Sequence, residues 1–169
     1  MVNPRRPFEL NIGFLITAVI GTSREFPFDF DSIKLGDDLA LHNFTGKVIF
    51  SRTQQGLLIQ GKFSAGIPLE CVRCLDEYSQ SLGWEFTDLF AFNIKSVSES
   101  NLLVPEDGRI DLAPLLREYA LLELPIQPIC KSDCRGLCRV CGENLNHSDC
   151  GHNQDGNSSP FSELKDYFS

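Results

Sequence analysis

The clearest pattern in the chain runs from Leu57 to Leu69, where Leu57, Ile59, Phe63, Ala65, Ile67 and Leu69 are apolar at odd positions and Gln60, Lys62, Ser64 and Glu70 are polar at even ones. A period of two puts alternate side chains on one face, so the segment predicts a half-buried strand. Phe44, Val48 and Phe50 share the parity of a preceding strand, and the turn-prone Thr53-Gln54-Gln55-Gly56 makes the pair an antiparallel hairpin. Arg24 to Phe30 alternates with Phe26, Phe28 and Phe30 on one side; Pro27 cannot donate to a ladder, which assigns this strand to an edge. From Leu82 to Ile94 the even positions Leu82, Trp84, Phe86, Phe90, Phe92 and Ile94 are apolar, and Asp88 breaks the run as a bulge or register change would. Residues 10 to 17 fit a short helix or a buried strand equally well.

Residues 95 to 108 have a loop-like composition with a brief apolar interruption at Leu102 to Val104. Asp111 is positioned as a helix N-cap, and Leu112, Leu115, Leu116, Tyr119 and Leu122 follow at helical spacing until Pro125 and Pro128 end the segment. This helix is expected to cover one face of the sheet. Residues 153 to 159 read as a polar linker, and Pro160 with Phe161, Leu164 and Phe168 predicts a short terminal amphipathic helix. The expected fold class is α+β: a mostly antiparallel β-sheet covered by a helix over residues 1–129, a cysteine-rich zinc-binding segment over 130–152, and a linker and short helix over 153–169.

Charge narrows the possible partners. The sequence has 15 Lys and Arg against 23 Asp and Glu, a net charge of −8, so the molecule as a whole repels a phosphate backbone and any nucleic-acid role must be local or indirect. Arg5 and Arg6 before the apolar stretch Ile12 to Ile20 resemble a short secretory signal, but Glu9 and Asn11 interrupt the approach and no Ala-x-Ala pattern follows. The sequence therefore points to a cytoplasmic protein with no membrane span, and the glycosylation triplets at Asn43 and Asn157 carry no weight without secretion.

Seven cysteines are many for 169 residues, and an odd number cannot all pair as disulfides within one chain. They fall into close pairings: Cys71 with Cys74, Cys130 with Cys134, Cys138 with Cys141, and Cys150 with His152. A two-residue spacer lets both thiolates of a pair face one tetrahedral ion, and a second pair completes the shell. Gly142, directly after Cys141, can adopt the positive φ that turns backbone N–H groups toward the sulfurs.

Seven cysteines and one histidine supply the donors of two closed tetrahedral sites. The preferred partition joins Cys138, Cys141, Cys150 and His152 in a local site, and Cys71, Cys74, Cys130 and Cys134 in a site that staples the sheet to the segment after the helix. One rival is a single site made by Cys130, Cys134, Cys138 and Cys141, and His147 competes with His152 for the last position. For Cys71 and Cys74 two further readings stay open: buried small apolar residues, or a redox-active pair, although the βαβ context of the latter is missing.

No phosphate loop, nucleophile elbow or dinucleotide fingerprint is present, and the thiolate-rich sets look closed, whereas a catalytic zinc keeps one position for water. Neither an enzyme nor a small-molecule substrate is expected.

Several stretches carry a family likeness. These are Gly21-Thr22-Ser23-Arg24-Glu25 leading to Phe28-Asp29-Phe30, Leu69-Glu70-Cys71-Val72-Arg73-Cys74-Leu75, Ile110-Asp111-Leu112, and Leu121-Leu122-Glu123-Leu124-Pro125. Cys130-Lys131-Ser132-Asp133-Cys134-Arg135-Gly136-Leu137-Cys138 and Cys141-Gly142-Glu143-Asn144-Leu145-Asn146 complete the set. Together they resemble the YceD family, named for a large-subunit ribosomal RNA accumulation protein. Relatives with this tail often end in Cys-x-Cys where this chain has Cys150-Gly151-His152, and some lack the C-terminal cysteines. The resemblance implies a role in synthesis, processing or stability of large-subunit ribosomal RNA, with no catalytic residue to transfer. Its partner would be ribosomal RNA or a ribosome-assembly protein, met indirectly or through Arg73, Lys131, Arg135 and Arg139. A redox-sensitive zinc-thiolate interaction protein or chaperone-like switch is the competing expectation.

Overall fold

The long alternating segments form one meandering sheet. The computed structural model describes residues 6–96 and 101–152; the linker and terminal helix expected over 153–169 lie outside them. The elements are β1 (Glu9–Asn11), α1 (Gly13–Ile16), β2 (Ser23–Lys34), β3 (Ala40–Arg52), β4 (Gly56–Glu70), β5 (Glu77–Ala91), a 3-10 turn (Ile94–Ser96), β6 (Arg109–Asp111) and α2 (Ala113–Leu122). The fold is α+β. Two compact units divide the chain: one runs up to Leu69 and from Ser79 to Ile126, the other comprises Glu70 to Tyr78 and the chain from Gln127.

In the first unit the four-stranded sheet has the order β2-β3-β4-β5, so Pro27 does sit on an edge strand. β2 and β3 pair antiparallel from Ser23↔Ser51 to Lys34↔Ala40. β3 and β4 pair antiparallel from Arg52↔Leu57 to His42↔Gly66, with a register shift between His42 and Thr45. Asn43 lies inside that irregularity with φ 49, a left-handed conformation in which Asn is better tolerated than most residues. A second, two-stranded sheet pairs β1 with β6 antiparallel, Leu10 opposite Ile110.

Leu57, Ile59, Phe63, Ala65 and Ile67 are buried on the core face of β4, as their alternation requires. Phe63 is central: its ring lies 5.3 Å from Phe44, 5.8 Å from Phe28, 5.9 Å from Trp84 and 6.1 Å from Phe86. α2 buries Leu115, Leu116 and Ala120 in the same core, and Tyr119 stacks on Phe86 at 4.7 Å, so the helix covers this face. Each such large side chain contributes about 1.5–3 kcal/mol by leaving water.

Four expectations are corrected or refined. Residues 10 to 17 are both a strand end and a single helical turn, because Leu10 pairs with Ile110 while Leu15 packs into the core. β5 begins at Glu77 and stops at Ala91; Ile94, expected on the strand, belongs to the 3-10 turn and is exposed. Asp88, the polar break in its pattern, accepts a hydrogen bond from the Tyr119 hydroxyl at 2.9 Å. The N-cap of α2 is Leu112, and Asp111 ends β6, yet its carboxylate accepts the Ala113 N–H at 2.9 Å and so satisfies a free donor of the first turn. Among the described residues no helix is long and apolar enough to cross a membrane.

Candidate metal centres

In the second unit a tight turn follows β4 at Cys71. The Cys71 N–H donates to the Asp76 carbonyl at 2.9 Å and the Leu75 N–H to the Cys71 carbonyl at 2.9 Å, which wraps the chain so that Cys71 and Cys74 face the same way. Leu75 takes φ 61 to complete the turn. The later segment docks onto it through main-chain bonds: Val72 N–H to the Pro128 carbonyl at 2.9 Å and Leu137 N–H to the Arg73 carbonyl at 3.0 Å. Gly136, with φ 75, permits the second contact, since a Cβ there would stand 3.1 Å from the Arg73 oxygen.

These bonds gather four sulfurs. Cys71 Sγ lies 3.8 Å from Cys134 Sγ and Cys74 Sγ lies 3.6 Å from Cys130 Sγ. Both are far beyond the roughly 2.05 Å of a disulfide, and close to the spacing of about 3.8 Å that a tetrahedron with metal–sulfur bonds of about 2.3 Å imposes. Cys71, Cys74 and Cys134 are buried and pack with Tyr78 and Ile129.

The second cluster is local. Cys138, Cys141, Cys150 and His152 place their donor atoms within 4.8 Å of one another, as do the four cysteines of the first cluster. Cys138 Sγ is 3.9 Å from His152 Nδ1. The Gly142 N–H closes the knuckle on the Cys138 carbonyl at 2.9 Å, with φ 76 at the glycine, and the Val140 N–H points at Cys138 Sγ at 3.4 Å. Here Cys138 is buried, Cys150 half-buried, and Cys141 and His152 exposed.

The structure thus brings together Cys71 with Cys74, Cys130 and Cys134, and Cys138 with Cys141, Cys150 and His152; it does not bring Cys130 and Cys134 to the Cys138 knuckle. His147 is not in either set, and its Nε2 lies 3.3 Å from an Asp76 carboxylate oxygen.

The thiols of each cluster do not share one acidity. Burial pushes the Cys71 thiol up, but the N–H groups of Cys130, Arg73 and Cys74 outweigh it and bring it to about 6. The N–H groups of Cys141 and Val140 likewise draw Cys138 down to about 6. Cys134 lies below the ordinary thiol value chiefly because Asn146 donates to it. The opposite holds for three neighbours: Cys74 is driven up by burial and the adjacent sulfurs despite the N–H of Asp76, Cys130 by burial first, and Cys150 by the Cys138 sulfur and burial despite the N–H of His152. Within each cluster some thiols ionise readily and oppose ionisation of the rest. A divalent cation removes that conflict, and the donor sets, spacing and N–H···S bonds fit a thiolate-binding metal.

Sequence reasoning missed the polar frame around the sulfurs. Asn144 Nδ2 donates to both Asp76 carboxylate oxygens at 3.0 and 2.9 Å, and Asn146 Nδ2 donates to Cys134 Sγ at 3.4 Å. The signal was the Asn-Leu-Asn that follows the knuckle glycine, noted for resemblance but given no physical task.

Comparison with known proteins finds relatives of this chain. An uncharacterized protein of Mycobacterium tuberculosis is 36% identical over 103 residues, covering 58% of this chain and 49% of its own length. One of Mycobacterium leprae is 34% identical over 95 residues, 54% of this chain and 44% of its own. The Arabidopsis thaliana "Large ribosomal RNA subunit accumulation protein YCED homolog 1, chloroplastic" is 42% identical over 52 residues, 30% of this chain and 16% of its own. The chain spans about half the length of the mycobacterial relatives. No solved structure matches it significantly. The family model described as "Large ribosomal RNA subunit accumulation protein YceD" matches residues 59–167, a span that contains all eight clustered donors, and the chain belongs to the YceD family.

Proposed function

We propose that this chain is a non-enzymatic, cytoplasmic accessory factor for the synthesis, processing or stability of large-subunit ribosomal RNA, built around structural zinc in two closed sites. The observation that carries the role is the family match over residues 59–167, whose description names large-subunit ribosomal RNA accumulation. Zinc is favoured by the donor sets, four cysteines in one cluster and three cysteines with a histidine in the other, both typical of structural tetrahedral sites. Cys71, Cys74, Cys130 and Cys134 would hold one ion, and Cys138, Cys141, Cys150 and His152 the other.

The net charge of −8 favours action through a ribosome-assembly protein or a local contact with RNA over broad electrostatic binding. Arg73, Lys131, Arg135 and Arg139 are the cations available around the knuckles. Deleting the gene and quantifying large-subunit ribosomal RNA tests the role. A fall in the mature RNA, restored by the wild-type chain, is expected; unchanged RNA and unchanged subunit assembly in every growth condition would refute it.

A second reading is a redox-sensitive zinc-thiolate switch, and the exposure of Cys141 beside the buried Cys138 is the observation that favours it. Under this reading mild peroxide releases one zinc reversibly and changes partner binding. Retention of all zinc, with thiols that resist modification, would exclude it.

A further inference from the structure

We infer that the two thiolate clusters are energetically coupled, and that Asn146 is the positioning residue that couples them. The inference rests on the reading that both clusters hold metal. Asn146 belongs to the loop between Cys141 and Cys150, which a cation in the second cluster would close, yet its carboxamide serves the first: Nδ2 donates to Cys134 Sγ at 3.4 Å. Its other atom, Oδ1, accepts the Arg135 N–H at 2.9 Å, next in sequence to that sulfur.

The loop holds this carboxamide in place by a chain of bonds. Asn144 Oδ1 accepts both the Asn146 N–H at 3.0 Å and Asn146 Nδ2 at 2.9 Å, while Asn144 Nδ2 is anchored on Asp76 and reaches the Cys74 carbonyl at 3.5 Å. The Leu145 N–H donates to the Gly136 carbonyl at 3.0 Å, and the Cys138 N–H to the Glu143 carbonyl at 2.8 Å. The loop that carries donors of the second cluster therefore also carries the polar donor to a sulfur of the first.

A hydrogen bond to a metal-bound thiolate disperses its charge, which makes the sulfur slower to take a proton and leave the ion. That bond persists only while the loop is ordered. Closing residues 138–152 around a cation removes loop freedom in advance, so Asn146 loses less entropy in keeping its place. By linkage, the first cluster when loaded must favour loading of the second to the same extent.

The alternative is that Asn146 merely shapes the loop through the Arg135 N–H. Asn146→Asp keeps an oxygen for Arg135 but loses the Nδ2 donor to both Cys134 Sγ and Asn144 Oδ1. The Leu145 and Cys138 amide resonances, which report the loop's own bonds, must therefore stay at their wild-type positions for a faster loss of metal to be assigned to the lost sulfur bond. The full chain, loaded with cadmium, gives distinct NMR signals for a four-sulfur and a three-sulfur, one-nitrogen site, and the decay of the four-sulfur signal is followed after addition of EDTA. Asn146→Asp and Cys150→Ser should each speed that decay about tenfold, and the double variant should be no faster than the faster single one. Decay of Asn146→Asp at the wild-type rate, or multiplication of the two effects in the double variant, would overturn the coupling. A chain that takes up no cadmium on the four cysteines fails the underlying metal reading, and that outcome is visible before any EDTA is added.

Discussion

Asn144 spans 68 positions of sequence to place its carboxamide on both oxygens of Asp76, at 3.0 and 2.9 Å. The bond ties the turn after β4 to the C-terminal cysteine loop without using a sulfur. It also holds the Asp76 carboxyl below the usual range, with Cys74 and His147 as lesser causes. Asn144→Asp would set two carboxylates face to face. We expect this variant to be digested markedly faster between Gln127 and His152 than wild type at pH 7, with the cleavage sites read by mass spectrometry. The excess should shrink in acid as the carboxylates protonate.

Metal content separates one site from two. Wild type should carry two zinc ions per chain, and Cys74→Ser and Cys141→Ser should each carry about one. Loss of the same single ion from both variants, measured by atomic emission, would favour one shared site.

Thiol accessibility should follow burial. In the reduced, metal-free chain a short maleimide pulse should label exposed Cys141 and half-buried Cys150 before buried Cys71 and Cys74. Equal labelling of all seven cysteines would show that the clusters do not persist without metal.

Gly61 lies against the Phe86 ring, where an added Cβ would collide with it. Phe86 cannot easily swing away, because Tyr119 stacks on it at 4.7 Å and Phe63 at 6.1 Å. Gly61→Ala should therefore cost about 1–3 kcal/mol through overpacking, read as a lower denaturation midpoint by Trp84 fluorescence. An unchanged midpoint would mean that the ring relaxes freely.

Glu9 bonds Arg6 and Arg109, each at 3.1 Å, and these two bonds depress its carboxyl pKa below the ordinary 4.5. A depressed carboxylate stabilises the fold above its unfolded pKa and loses that contribution as pH falls through the folded value. The thermal midpoint of Glu9→Gln should lie below that of wild type at pH 7, and the two should converge as pH falls below the folded Glu9 value. Parallel curves across that range would show that the pairs add nothing.

Legibility in the sequence followed the range of the interaction that made each element. β4 could be read because Leu57 to Ile67 face one packed core, and that face imposes a strict period. The start of β5 could not, since Glu77 to Ser81 carry no apolar rhythm and depend on their neighbour strand for assignment. The β1–β6 pair was hidden for a related reason: Glu9 and Asp111 are partners about a hundred positions apart, and three-residue strands leave no periodic trace. Both cysteine groupings were visible because each close pair of donors is local in sequence. The work of Asn144 and Asn146 was not, because a carboxamide donor needs only the right place in space and leaves no spacing rule behind.

Cys74 and Cys130 are separated by 56 residues, and Cys71 and Cys134 by 63. A ribosome adding about 5–20 residues per second takes roughly 3–11 s to cover the shorter gap. For that interval Cys71 and Cys74 are already part of the nascent chain while Cys130 and Cys134 have yet to be translated, so two thiols wait without the sulfurs that the folded protein sets beside them.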